Sequence, residues 1–479
     1  MAVVTAGAAI LRLTGLATPA GLVFDEIFYA RNACRFVVDT AQCGIDDLVS
    51  GAHPPLGNWL IGIGIRLFGY DEFGWRIASA VGGTISVAIL YVLVRRLLAG
   101  RVSDAAASVG AAAAASLLAI DFLHLVQSRV AMLDSFVTMF VIAAVLFAVL
   151  DGGRERGPRG EDLGAPRWLR RLSLGRPWRL ATGLALGSAI AVKWSGGYVA
   201  IGIVVLLVAW EMAAQPEGDR AGGWRAALGA FRREAVPSLV LLGLVPVVVY
   251  VASYAGRVDG QLFALPWREG SVWRGILEHQ LAMLRFHLGL EGDHPYESAP
   301  WSWLLLKRPV AYSFASGAGG YREILAIGNP LTWWPGAVAL AAVWVRWVRS
   351  GAGLARPEVV LLAAALSTYL PWLILAVSRS QVFLWYLLPT IPFLCGALGL
   401  VAALAWSSVP GRVAIGLAAT AVAASFVFFY PILTAAPMTP DEWRARIWLS
   451  DCARPGAPTL TLPDDEINQG PPPRGWCWI

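Results

Sequence analysis

Apolar stretches of about twenty residues recur along this chain, each long enough to cross roughly 30 Å of hydrocarbon as a helix. They lie near 2–18, 77–97, 105–123, 132–150, 179–192, 197–212, 236–254, 332–347, 357–377, 382–404 and 413–434. Nothing else in the sequence narrows the possible folds so far. Inside a bilayer every backbone N–H and C=O must be satisfied within the protein, so consecutive spans of this kind form helices. The expected fold is an all-α integral membrane protein with about 11 transmembrane helices. Composition agrees: 57% of residues are hydrophobic, only 15% are charged, and the mean hydropathy is +0.60.

The formal charge of +6 and the pI near 9.2 would suit a nucleic-acid partner if the basic residues formed a face. They do not. Arginines collect in short loops between apolar runs, the pattern that sets membrane orientation. The segment from Arg154 to Arg179 carries eight arginines against three acids, and the one from Gln215 to Glu234 carries Arg220, Arg225, Arg232 and Arg233. Placing both in the cytoplasm and counting spans outward puts the N-terminus inside. External loop one is then 21–76, external loop two is 255–331, and the tail from about 435 is also outside. Loop two holds seven basic and seven acidic residues, so it lacks the positive bias of the inner loops. The expected organisation is a membrane domain over 1–434 and an external C-terminal tail over 435–479, in the plasma membrane of the cell.

The first span carries Arg12 and has no basic leader, so it does not read as a cleaved signal peptide. Residues upstream of the numbered start are expected in the natural chain. In loop one, "PLGNWLIGIGIRLFGY" is a short, interrupted apolar pattern that reads as an interfacial helix rather than a span. No internal repeat or matched pair of broken spans of the transporter kind is present.

The chemistry-bearing side chains fall on one side of this topology. All five histidines (His53, His124, His279, His287 and His294) lie outside or at the outer end of a span, with Asp25, Glu26 and Asp134. Any single histidine there is as well explained by polar residues gathering in loops; the clustering as a set points to chemistry at the outer face. Asp25 and Glu26 are neighbours, so their side chains diverge by about 100° on a helix, and one can react while the other orients. Arg12 within a span either snorkels to water or meets an anion. Its natural partner is the acid doublet, provided the chain folds back after Pro19. Arg129 in "HLVQSRVAMLDSF" is either an interface anchor or one half of a guanidinium pair with Arg12 that grips a phosphate. Lys193 in "AVKWSGGY" is either a belt residue or a third phosphate contact. His53, Asp134, His294 and Arg379 complete the candidate set. No spacing demands a metal, although two carboxylates and a histidine could hold one ion. Cys34 with Cys43, and Cys452 with Cys477, are candidate disulfides on an oxidising face, free thiols being the alternative; Cys395 reads as packing.

The segments "FDEIFYA", "HPPLGNWLIGIGIRLFGYDEFGWR", "SRVAMLDSF", "AVKWSGGY", "HPYESAPWSWLLLKRP", "IGNPLTWW" and "FLWYLLPTIPF" follow one another as they do in the protein O-mannosyltransferases. The chain resembles that family, its actinobacterial members in particular, from Arg12 to about Pro392. The resemblance implies a GT-C fold with eleven spans, an internal N-terminus and an external C-terminus. It implies transfer of mannose from polyprenyl-phosphate-mannose to Ser or Thr of unfolded secreted proteins. Asp25 would then be the base and Glu26 its partner, with Arg12 and Arg129 as the family's arginines. Loop two is too short for the MIR domain of eukaryotic members, and Asn58 stands where a lysine is common.

A sugar phosphate ester already carries a good leaving group, so a single base suffices, unlike glycoside hydrolysis with its two carboxyl groups. Asp25 would take the acceptor proton while Arg12, Arg129 and Lys193 hold the departing polyprenyl phosphate. Two other classes compete: a GT-C enzyme moving another sugar from polyprenyl phosphate to glycan or lipid, and a polytopic carrier for an anion, which should place polar residues on both sides of the membrane. Export-side chemistry also suggests the Sec translocon as a neighbour. Dependence on a divalent metal is left open by the sequence.

Overall fold

The computed structural model describes residues 1–37, 43, 51–154, 176–213, 228, 235, 238–255, 272–289, 296–317, 320–351, 353, 356–376 and 381–448. His294, Arg379, Cys452 and Cys477 lie outside the described residues.

Helix α1 (Ala2–Leu13) is followed by α2 (Glu26–Val37), α3 (Leu56–Phe68), the long α4 (Glu72–Leu98), α5 (Asp104–Ala119), α6 (Phe122–Arg129) and α7 (Leu133–Arg154). Next come α8 (Pro177–Val192), α9 (Val199–Ala213), α10 (Val245–Ala252) and α11 (Val272–Leu288). A β-hairpin of β1 (Val310–Gly317) and β2 (Gly320–Ala326) precedes α12 (Pro330–Ser350), α13 (Pro357–Leu375), α14 (Ile391–Ala405), α15 (Val409–Leu433) and the short α16 (Pro440–Arg444).

Among the described residues, six helical stretches are long and apolar enough to cross a membrane: 72–98, 133–152, 194–211, 357–375, 384–405 and 409–433. A seventh arises if α5 and α6, bent by 57° at Ile120–Asp121, count as one span. The remaining expected spans also fall on helices, but on shorter or more polar ones such as α1 and α12, so among the described residues length and composition alone identify up to seven of the eleven expected crossings. Large apolar side chains stand exposed along these helices, among them Val338, Trp344, Val413, Leu417 and Val427. Such a surface is stable against lipid and not against water. The chain is a multi-pass membrane protein.

Between helices the bundle packs through small residues. α14 lies on α5 so closely that a methyl group on Gly110 would come within 2.6 Å of the Gly399 carbonyl oxygen, and one on Gly399 within 2.5 Å of that of Gly110. Only glycine at both positions lets the two backbones meet, a common device where lipid supplies no hydrophobic drive.

The hairpin is a departure from the all-helical expectation. Its strands pair antiparallel from Val310↔Ala326 to Gly317↔Gly320, and β1 is buried from Val310 to Phe314. The run "VAYSFASG" is rich in aromatic and small residues and lies between the spans, where β-pairing satisfies a backbone that no helix continues. After α15 the chain returns to the hairpin: Tyr321 and Met438 exchange backbone hydrogen bonds, and the buried Glu323 carboxylate accepts the Trp443 indole N–H.

Candidate active site

Residues 14–25 join α1 to α2 and are held from behind by arginine. Arg76, in the first turns of α4, donates to the carbonyl oxygens of Leu16 (3.2 Å), Pro19 (2.8 Å) and Gly21 (2.9 Å). The same guanidinium forks onto Glu26, Nε to Oε1 at 2.8 Å and Nη2 to Oε2 at 2.9 Å. Glu26 also accepts the backbone N–H of Val23 (2.8 Å) and of Ala131 (2.9 Å). Both side chains are wholly buried. Four donors occupy the Glu26 carboxylate, so it is a structural anchor with no face turned to a reactant.

The arginine that Glu26 orients is therefore Arg76, not Arg12. Arg12 sits fully buried with Nη2 on His124 Nδ1 (2.8 Å) and Nη1 on the carbonyls of Ala8 (3.1 Å) and Ala119 (3.2 Å). Arg129 donates to the carbonyls of Leu11 (2.8 Å), Arg12 (3.1 Å), Thr14 (2.7 Å) and Gly15 (3.0 Å). These oxygens form the last turn of α1 and its exit, where a helix leaves its carbonyls without internal partners and its dipole is negative. The two guanidinium groups lie within electrostatic reach of each other, and their hydrogen bonds run to protein carbonyls and an imidazole. The sequence reading missed Arg76; its signal was an arginine at the start of a long apolar helix within "DEFGWR", close to two unpaired acids.

On the other side of the same segment, Asp25 directly precedes α2, its carbonyl accepting from the N–H of Phe28 and of Tyr29 at 3.0 Å each. The Tyr29 hydroxyl donates to the Asp25 carboxylate. The Lys193 ammonium and the Asp134 carboxylate lie within electrostatic reach. Asp134 opens α7, where the helix N-terminus favours an anion, and takes Lys193 Nζ on both oxygens at 3.1 and 3.0 Å. Lys193 ends α8 in extended backbone before the 3-10 turn Trp194–Gly197, and its Nζ stands 4.7 Å over the Tyr386 ring. Asp134 and Lys193 are buried, and Asp25 is half-buried.

Asp25 lies outside the spanning helices, and its pKa is pushed up to about 6. Enclosure by protein is the largest cause; Lys193 opposes it, Asp134 adds to it, and the Tyr29 hydrogen bond opposes it. A carboxylate of this kind can hold a proton at working pH more readily than an ordinary aspartate, as a general base requires.

Phe24, directly before Asp25, has φ 51°, a left-handed backbone that costs a non-glycine residue about 1–2 kcal/mol.

His53 joins the rim of this corner. Its ring lies 6.0 Å from that of Tyr29 and 5.5 Å from that of His287, which in turn is 6.0 Å from Trp194. Helix α11 is fastened here by a directional chain. Trp194 Nε1 donates to the Tyr250 hydroxyl (3.0 Å) and Tyr250 to Gln280 Oε1 (2.5 Å); Gln280 Nε2 donates to the Tyr254 hydroxyl (2.8 Å). Tyr254 then meets His279 Nδ1 (3.0 Å), and His279 Nε2 meets the Gly51 carbonyl (2.8 Å). Since a carbonyl only accepts, His279 carries its proton on Nε2. Cys34 and Cys43 form a disulfide, and Cys395 is a buried free thiol in α14. Among the described residues no three His, Cys, Asp or Glu side chains gather as ligands for one ion.

Residues 272–452 match the family described as the C-terminal four TMM region of protein-O-mannosyltransferase, and residues 52–156 match dolichyl-phosphate-mannose-protein mannosyltransferase. The chain is 32% identical over 481 residues to the polyprenol-phosphate-mannose–protein mannosyltransferase of Mycobacterium tuberculosis, covering 91% of this chain and 87% of that relative. Among solved structures, the S. cerevisiae protein O-mannosyltransferase Pmt1-Pmt2 complex bound to the sugar donor superposes with a TM-score of 0.68 at 16% identity, over 94% of this chain and 92% of the other. ArnT from Cupriavidus metallidurans, bound to undecaprenyl phosphate, superposes with a TM-score of 0.54 at 19% identity, over 93% and 68%. At these identities the two structures speak to architecture, and that architecture is GT-C.

Proposed function

The chain belongs to the protein O-mannosyltransferase family, and on that premise we propose that it moves mannose from polyprenyl-phosphate-mannose to Ser or Thr hydroxyls of exported proteins, with Asp25 as the base. One observation supports Asp25 over every other acid at the site. Asp25 is half-buried, takes a hydrogen bond from the Tyr29 hydroxyl and lies within electrostatic reach of the Lys193 ammonium, while Glu26 is consumed by Arg76 and two backbone N–H groups.

In this reading the acceptor hydroxyl gives its proton to Asp25 as its oxygen attacks the anomeric carbon, and the sugar–phosphate bond breaks with inversion. Lys193, whose charge acts on Asp25, offsets the charge left on the polyprenyl phosphate, and Asp134 holds its ammonium in place. Arg12 and Arg129 act at one remove, by fixing the end of α1 and so the segment that carries Asp25. We assign the site to the extracytoplasmic side with the N-terminus in the cytoplasm, on the arginine count of the loop from Arg154 to Arg179. The catalytic unit spans 1–434, and the translocon is the neighbour that would deliver unfolded acceptor.

The test uses membranes containing the full chain, polyprenyl-phosphate-mannose with a radiolabelled sugar, and a Ser/Thr/Pro-rich peptide. Label in the peptide, lost in Asp25→Asn, is the expected result. Label reaching only lipid or glycan would favour the competing GT-C chemistry, and substantial transfer by Asp25→Asn would remove Asp25 as base.

A further inference from the structure

Phe24 places a bulky aromatic residue in left-handed backbone at the position next to the proposed base. Such a conformation persists only where the surroundings over-determine it. Here the surroundings include two rings. Phe24 lies parallel on Tyr312, centroids 4.2 Å apart and planes 5° from coplanar, and edge-on to Trp385 at 5.2 Å. Tyr312 and Trp385 also meet each other edge-on at 6.0 Å. The clamp is itself held: the fully buried Tyr312 accepts a hydrogen bond from Gln127 Nε2 (2.6 Å), and Trp385 stacks on Phe383 at 4.3 Å. Its parts come from the hairpin and from the 3-10 segment Leu384–Thr390, about 290 and 360 residues along the chain from Phe24.

Resting on the assignment of Asp25 as base, we propose that Phe24 is a positioning residue, and that the Tyr312–Trp385 clamp on its ring holds the backbone turn that aims the Asp25 carboxylate at the acceptor hydroxyl. A base that must sit within hydrogen-bond reach of the proton it removes is sensitive to displacements of about 1 Å, which can cost on the order of 100-fold in rate. The external hairpin thereby takes part in catalysis without touching substrate. Phe24 itself does no chemistry.

Four variants separate ring from backbone. Phe24→Ala keeps the strained position and loses the ring; Phe24→Gly tolerates the left-handed turn and also loses the ring. Tyr312→Phe keeps the stacking surface and Tyr312→Leu removes it. With peptide acceptor and polyprenyl-phosphate-mannose, Phe24→Ala and Tyr312→Leu are expected to lower kcat at least tenfold with KM for the donor within about twofold. Phe24→Gly should fall between Phe24→Ala and the parent, and Tyr312→Phe should stay within about threefold of the parent. Thermal melting in detergent shows which variants fold, and Tyr312→Phe with Phe24→Gly serves as the milder pair if the others do not. A kcat for Phe24→Ala or Phe24→Gly equal to that of the parent overturns the proposal, as does a loss that appears in donor KM alone. If Asp25→Asn retained transfer, the assignment of the base would fail first; if Asp25→Asn abolished it and the ring variants did not respond, only the clamp would fail.

Discussion

Asp25 and Glu26 are adjacent in sequence and belong to opposite regions of the molecule. Behind the α1–α2 segment, Glu26, Arg76, Arg12 and Arg129 form a buried region in which carboxylate oxygens and α1 carbonyls meet guanidinium N–H groups at hydrogen-bond distance. In front of it, Asp25, Tyr29, Lys193 and Asp134 form a region in which two carboxylates share one ammonium and Asp25 is half-buried. The difference teaches that satisfied polarity fixes shape, while incompletely satisfied polarity is what remains available for chemistry.

The contrast can be broken from either side. Asp25→Asn is expected to reduce transfer by roughly 100- to 10,000-fold, the range for removing a general base, without lowering the melting temperature. Melting at a lower temperature would make Asp25 part of the anchor and collapse the distinction. Arg76→Met should do the reverse, costing about 3–5 kcal/mol because Glu26 is left buried without its counter-charge. Chemical or thermal unfolding in detergent measures this, and Glu26→Gln in the same background should recover part of it. Arg129→Met strips the end of α1 of its donors and should cost about 2 kcal/mol, read the same way.

Acidification sharpens the front region alone. With the Asp25 pKa pushed up to about 6, kcat/KM should fall about tenfold per pH unit below that value, since a protonated carboxyl cannot accept the acceptor proton. The sign for stability is opposite to that of an ion-paired aspartate. A pKa raised above the ordinary carboxylate value means the folded state prefers the neutral form, so ionisation between about pH 4 and 6 takes stability away, and Asp25→Asn should flatten that part of the profile. The smallest effect belongs to the fastening of α11. His279→Gln can donate to Gly51 and accept from Tyr254 as the imidazole does, and should match the parent, whereas His279→Phe breaks the chain and should cost about 1 kcal/mol in melting measurements.

Much of this was legible in the sequence because hydrophobic runs and charged residues are local signals. The spans at 77–97, 132–150 and 413–434 coincide with helices, and the gathering of Asp25, Asp134, Lys193 and His53 at one end of the bundle follows from counting those spans. What the pattern could not reveal is which cation meets which acid. Arg12 looked like the partner of Glu26 because it is fourteen residues away; Arg76, fifty residues away, takes the place because the turns at Gly15 and Gly21, with φ of 62° and 81°, bring the chain back beneath α4. The hairpin was hidden for a related reason. Val310–Phe314 and Glu323–Ala326 are buried without a break, so these stretches lack the alternation that marks a strand beside water. The backbone at Phe24 has no sequence signal, because its conformation is imposed by rings supplied from far along the chain.

The glycine contact between α5 and α14 sets a limit on how the molecule can be divided. Residues 52–156 and 272–452, although they match two separate family descriptions, share a seam in which two main chains touch with no side chain between them. Two fragments produced apart would each expose a face of small residues, centred on Gly110 in one and Gly399 in the other, that the other covers in the whole chain. Reassembly from pieces would therefore depend on Gly110 and Gly399 remaining bare, and a leucine at either position would hold the pieces apart even where both inserted normally.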